Sequence, residues 1–130
     1  MNAGRILAAA GLDSHELRSE LYPIRPEDVN VWPAARLVRM LWGPGISGVT
    51  LWRLVLADPE VMRGDVETLG RFVVHELVHV RQFAEIGHAR FMVRYLKEYW
   101  RGRRHGKSHR DAYLAIGAEV EARALTERLT

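Results

Sequence analysis

The 130-residue chain is 48% hydrophobic and 27% charged with a net charge of +3. This balance excludes a disordered or fibrous protein and allows one domain that buries about two thirds of its unfolded-chain surface. The absence of cysteine excludes disulfides, thiolate metal ligands and a cysteine nucleophile, which leaves histidine and carboxylate as the strong metal ligands available.

The opening residues, MNAGRILAAAGLDSHE, carry one arginine and a short apolar patch that soon meets Asp13, which falls short of a secretory signal. Cytoplasmic placement is therefore expected; signal-independent export would leave no mark in the sequence. No apolar run is long enough to cross a bilayer. ILAAAGL and SHELRSELY each suit a short helix, the second with Ser14 as N-cap and Leu17 and Leu21 on one face. In VWPAARLVRMLWGPG, Pro33 suits a first helical position and GPG at 43–45 ends the run, so a helix is expected to about Trp42.

GVTLWRLVLADP, rich in Val, Leu, Thr and Trp, reads as a single strand with Thr50, Trp52 and Leu54 on one side and Leu51, Arg53 and Val55 on the other. DPEVMRGDVET supplies a turn or a short helical turn. A long helix follows from Val66 to Ile86, closed by Gly87. ARFMVRYLKEYW is amphipathic, with Phe91, Tyr95 and Tyr99 four apart. RGRRHGKSHR, residues 101–110, holds five Lys or Arg and two His without an acidic residue and is expected to be a solvated basic loop. Ser108 and Asp111 have capping-box spacing, and the last segment runs helical toward Leu129, with Gly117 able to break or restart it. The sum is an α+β, mostly helical domain. The four tryptophans, at 32, 42, 52 and 100, are expected to pack in the core and at its rim.

The chemistry lies in FVVHELVHVRQF, residues 72–83. At about 100° per residue, His75 and His79 project within about 40° of each other, so both imidazoles can reach one metal ion. Glu76 lies about 60° further round, placed to take a proton from a metal-bound water without being a ligand. The competing explanation is a buried helix whose histidines are satisfied by backbone carbonyls. Val73, Val74, Leu77, Val78 and Val80 surround the triplet, so the helix is central, and burying two histidines and a carboxylate without a partner costs several kcal/mol. A metal with its water removes most of that cost.

Catalytic zinc usually takes three protein ligands. Gln82 and Glu85 stand where the metzincin extension needs Gly and His, and Glu85 points away from the pair, toward Arg81. The acidic candidates are Glu119 and Glu121 in AIGAEVEARA. If the last helix is continuous from Asp111, periodicity alone favours Glu121.

HELVHVRQ followed some forty residues later by EVEARA resembles the gluzincin pattern, HExxH plus a glutamate on a downstream helix, and its ExEA segment resembles that of the HtpX-type peptidases. GVTLWRLVL, HELVHVRQ and YLAIGAEVEA together resemble a compact zincin-like metallopeptidase domain. The likeness covers roughly residues 45–125. Arg123 stands where the membrane peptidases have an aspartate, and their transmembrane helices are missing. The resemblance implies a minimal zincin-like fold with a central HExxH helix, an edge strand or small sheet, and a C-terminal helix bearing the third ligand. It implies Glu119 as that ligand, one Zn²⁺ bound by His75, His79 and Glu119, and Glu76 as general base in peptide-bond hydrolysis. Length sets one domain over 1–130, in which the resemblance implies a catalytic core (45–130) preceded by an N-terminal helical segment (1–44) of no assigned role. The edge strand would hold an extended peptide or protein substrate, and so small a domain suits either broad specificity or action beside a partner protein. The alternative is a catalytically silent zincin-like module that docks nucleic acid or an acidic protein through 101–110. Tyr95, Tyr113, His105 and His109 suit an oxyanion donor by residue type alone, and Arg81 is expected to pair with Glu85 or to reach a buried carboxylate that orients the ligands.

Overall fold

The computed structural model describes residues 1–35 and 48–130. The described chain is mostly helical with one small mixed sheet, which matches the α+β expectation. Two short helices open it, α1 (Ala3–Ala9) and α2 (His15–Leu21). The Ser14 hydroxyl accepts the Leu17 amide at 3.0 Å, and Leu17 and Leu21 are fully buried. A single 3₁₀ turn (Pro26–Asp28) leads into β1 (Asn30–Pro33). Pro33 thus ends a strand rather than starting a helix, and Ala34 and Ala35 after it are not helical; residues 36–42 of the expected helix, Trp42 included, lie outside the described residues.

The segment read as one strand is a hairpin. β2 (Gly48–Leu51) pairs antiparallel with β3 (Leu54–Ala57), and β1 pairs with β3 in parallel, giving the order β1-β3-β2. Trp52 turns the chain at φ 56°, a left-handed conformation that asparagine or glycine usually supplies. The indole-bearing residue is held there because its amide donates to His88 Nε2 at 3.1 Å and its ring meets the His88 ring edge-on. The fold-back places Thr50 directly opposite Val55, so the two share the buried face that a continuous strand would have split between two sides.

α3 (Pro59–Arg63) is a short turn of helix. The central helix α4 (Val66–Ile86) starts where Asp65 accepts the Thr68 amide at 3.2 Å and stops at Gly87, whose φ of 83° favours glycine. Val73, Val74, Leu77 and Val78 are fully buried, packed with α1, α2, the sheet and the last helix around one core. At Gly70 a Cβ would lie 2.5 Å from the Ala10 Cβ, so a glycine lets the end of α1 close on α4.

α5 (His88–Arg104) absorbs the first four residues of the basic stretch, and only residues 105–108 connect it to α6 (His109–Leu114). The stretch is therefore the end of one helix and the start of the next, not a loop. The expected cap is present, with Ser108 Oγ accepting the Asp111 amide. Ala115 and Ile116 interrupt the helix, and α7 (Gly117–Leu129) restarts it. Arg123 donates to the Leu114 carbonyl at 2.6 Å across that break. Trp32, Trp52 and Trp100 are all more than half exposed, contrary to core packing. No described helix is long and apolar enough to cross a membrane.

Candidate metal centre

One turn of α4 brings His75 and His79 to the same face, their ring centroids 5.0 Å apart. α7 crosses opposite and aims Glu119 between them. His75 Nε2 lies 3.1 Å from Glu119 Oε2, and His79 Nε2 lies 3.1 Å from Glu119 Oε1. One ligand atom from each residue falls within 4.8 Å of the others. Ligands about 2.0–2.1 Å from a tetrahedral zinc ion sit about 3.3 Å from one another, so the three side chains fit an ion with small rotations. Glu119 is the inward glutamate because the break at Ala115–Ile116 resets the helical phase that a continuous helix would have carried to Glu121. The Glu121 side chain is 48% exposed and faces Arg81.

The charge balance also calls for a cation. Glu76 and Glu119 are both buried, 6% and 3% exposed, and line one cavity with His79. Burial pushes the His79 pKa down, but the Glu119 hydrogen bond and the Glu76 and Glu119 charges prevail and raise it to about 9. Burial pushes the Glu119 carboxyl up, and its hydrogen bonds to His75 and His79 prevail, holding it well below the carboxylate range. Two acidic groups sharing a low-dielectric pocket favour positive charge beside them, which a proton on His79 or a divalent ion can supply.

Around this cluster a set of polar groups fixes each member. Thr50 Oγ1, on β2, donates to Glu76 Oε2 at 2.6 Å. Tyr95 on α5 donates to Glu119 Oε1 at 3.0 Å. His79 Nδ1 meets Gln82 Oε1 at 2.8 Å; since the amide oxygen only accepts, Nδ1 carries a proton, which leaves Nε2, facing Glu119, as the ring atom that takes the second proton or a metal ion. The Gln82 amide nitrogen donates across to α7, to the Ala118 carbonyl at 3.1 Å and to Glu121 Oε1 at 2.8 Å. Arg81, buried beneath the same junction, donates to Glu121 at 2.6 Å and to the Glu20 carbonyl at 2.9 Å, and its Nε lies 3.1 Å from Glu85. Arg81 thus pairs with surface Glu85 as expected, and the second carboxylate it reaches, Glu121, is half-exposed rather than buried.

The cavity beside the cluster has a volume of about 150 Å³. Its polar wall is Thr50, Glu76, His79, Glu119, Tyr95 and Tyr113, and its apolar wall includes Val49, Phe83, Phe91 and Met92. Burial and the adjacent Glu119 carboxylate push both tyrosine hydroxyls well above their ordinary pKa, so they stay protonated donors. His109 is outside this site, exposed and bonded to the Tyr99 hydroxyl, and His105 caps α5 in the exposed turn. Sequence reasoning singled out neither Thr50 nor Gln82. Gln82 follows His79 by three residues, a spacing at which helical side chains meet; the Thr50 contact depends on the hairpin. No family model, curated protein or solved structure matches this chain, so the functional argument rests on the geometry of the site and its chemistry.

Proposed function

We propose that the chain is a zinc-dependent metallopeptidase of gluzincin type, with His75, His79 and Glu119 holding the ion and Glu76 acting as general base. The observation that carries this reading is the convergence of three ligand atoms from two helices beside a buried, hydroxyl-anchored carboxylate on a cavity wall. A purely structural metal site has no use for a buried carboxylate such as Glu76 that stands beside the ligand cluster without completing it.

When bound, the ion would acidify a coordinated water and polarise a substrate carbonyl. Glu76 would take a proton from the attacking water and deliver it to the departing amine, so one water is consumed as the C–N bond breaks. Thr50, by donating to Oε2, leaves Oε1 of Glu76 for the proton. Tyr113, on the cavity wall, would supply a donor toward the oxygen that gains charge, while the Tyr95 hydroxyl stays on Glu119. Among the described residues β2 is an outer strand of the sheet, and Gly48, Val49 and Thr50 line the cavity, so an extended peptide adding along β2 would lay its backbone past Glu76.

The test is metal analysis of the purified chain with a peptide-library digest, for wild type and Glu76→Gln. About one zinc per chain in both, with cleavage in wild type alone, is expected. Cleavage surviving in the variant removes Glu76 from the mechanism, and failure of wild type to bind zinc ends the metallopeptidase reading.

A further inference from the structure

We propose that the outward face of α5 seats the protein on an anionic lipid surface, independently of what the metal centre does. Buried Phe91 and Gly102, with half-buried Tyr95, Glu98 and Tyr99, mark the inward side of this helix. At about 100° per residue the exposed arc divides into two stripes. Met92, Leu96, Trp100 and Val93 fall within about 100° of one another and are 44%, 49%, 56% and 66% exposed. Arg104, Lys97, Arg90, Arg101 and Arg94 occupy the adjoining arc and are exposed as well. Arg90, Arg94, Lys97 and Arg101 border one shallow groove with Val93, and Glu98 stands at its edge. Glu98 is the only acidic residue of α5, and it is engaged by the Gly117 amide at 3.0 Å. None of the five cations forms an ion pair among the described residues.

Four large apolar side chains left in water beside five unpaired cations form an interfacial pattern. The apolar stripe enters the acyl boundary while the long basic side chains reach back to headgroup phosphates. A second copy is disfavoured as occupant because it would bring the same cations face to face. Nucleic acid accounts for the cations but leaves Val93, Leu96 and Met92 in water, with Trp100 the one exposed aromatic of the helix able to stack on a base. Met92 also lines the cavity of the metal centre, so a docked chain would hold that cavity's mouth close to the membrane surface.

The full chain is co-sedimented with vesicles of phosphatidylcholine alone and of phosphatidylcholine mixed with phosphatidylglycerol, at low and high salt. Binding only to the mixed vesicles, weakened by salt, is expected. Arg94→Glu with Arg101→Glu is expected to weaken it about tenfold or more. Leu96→Asp with Trp100→Asp is expected to abolish it, while circular dichroism stays unchanged because all four positions are exposed. Three results overturn the proposal: no sedimentation with either vesicle, equal sedimentation of the apolar-stripe variant, or salt-sensitive binding to duplex DNA in place of vesicles.

Discussion

Replacing Gln82 with leucine removes the side chain that joins the two ligand helices. It deletes the acceptor of His79 Nδ1 and the donors to Ala118 and Glu121. Bonds of this kind contribute about 1 kcal/mol each, nearer 2 for a charged partner, and an orphaned buried donor costs about 1–3 kcal/mol. Allowing for partial rearrangement, the chain stripped of metal loses about 3 kcal/mol of stability. Zinc binding weakens separately, by about 10- to 100-fold, because nothing fixes the imidazole tautomer and ring angle. Gln82→Glu separates the two effects. It keeps an acceptor for His79 and loses the donors, with Arg81 limiting repulsion from Glu121. Its zinc affinity stays within a few-fold of wild type while its stability falls. The assays are thermal melting of the stripped proteins and zinc competition against a chromophoric chelator. Zinc bound by Gln82→Leu as tightly as by wild type would refute the argument that Gln82 orients His79.

Thr50→Val leaves the ligands in place and frees the buried Glu76 oxygen, so peptide cleavage should fall about tenfold or more at unchanged zinc content; steady-state rates and metal analysis check this. Gly70→Ala drives a methyl into Ala10 and Leu12 and should cost about 1–3 kcal/mol in a denaturant melt. The stripped chain should also lose stability with rising pH. The folded-state pKa of His79 stands near 9, above its ordinary value of 6.5, so its contribution is complete below the lower value and disappears as pH passes the higher. Melting temperature should decline across that window without metal, and a flat profile would contradict the His79–Glu119 pairing.

Much of this arrangement was readable where local chemistry and tertiary context agree. The apolar run and Gly87 delimit α4 in the sequence as in the fold, and the i, i+4 histidines need only a helix to converge. Where tertiary contacts decide, sequence periodicity failed. The β2–β3 turn carries no glycine or asparagine, since a contact to His88 thirty-six residues away holds Trp52 in place. Pro33 resembles a helix start, yet parallel pairing with Ala57 makes it a strand end. Periodicity chose Glu121 because it assumed an unbroken last helix; the interruption at Ala115–Ile116 turns Glu119 inward, and Glu121 instead receives Arg81 and Gln82. The basic stretch looked like a loop because charge dominates its composition, although residues 101–104 continue α5.

The central claim is that one divalent ion is gripped by two neighbouring imidazoles and the carboxylate of α7, with a position open to solvent. X-ray absorption at the zinc edge of the loaded protein tests it directly. A four- or five-coordinate nitrogen and oxygen shell near 2.0–2.1 Å is predicted, with outer-shell scattering from two imidazoles that drops to one in His79→Ala. A six-coordinate oxygen shell without imidazole scattering would contradict it.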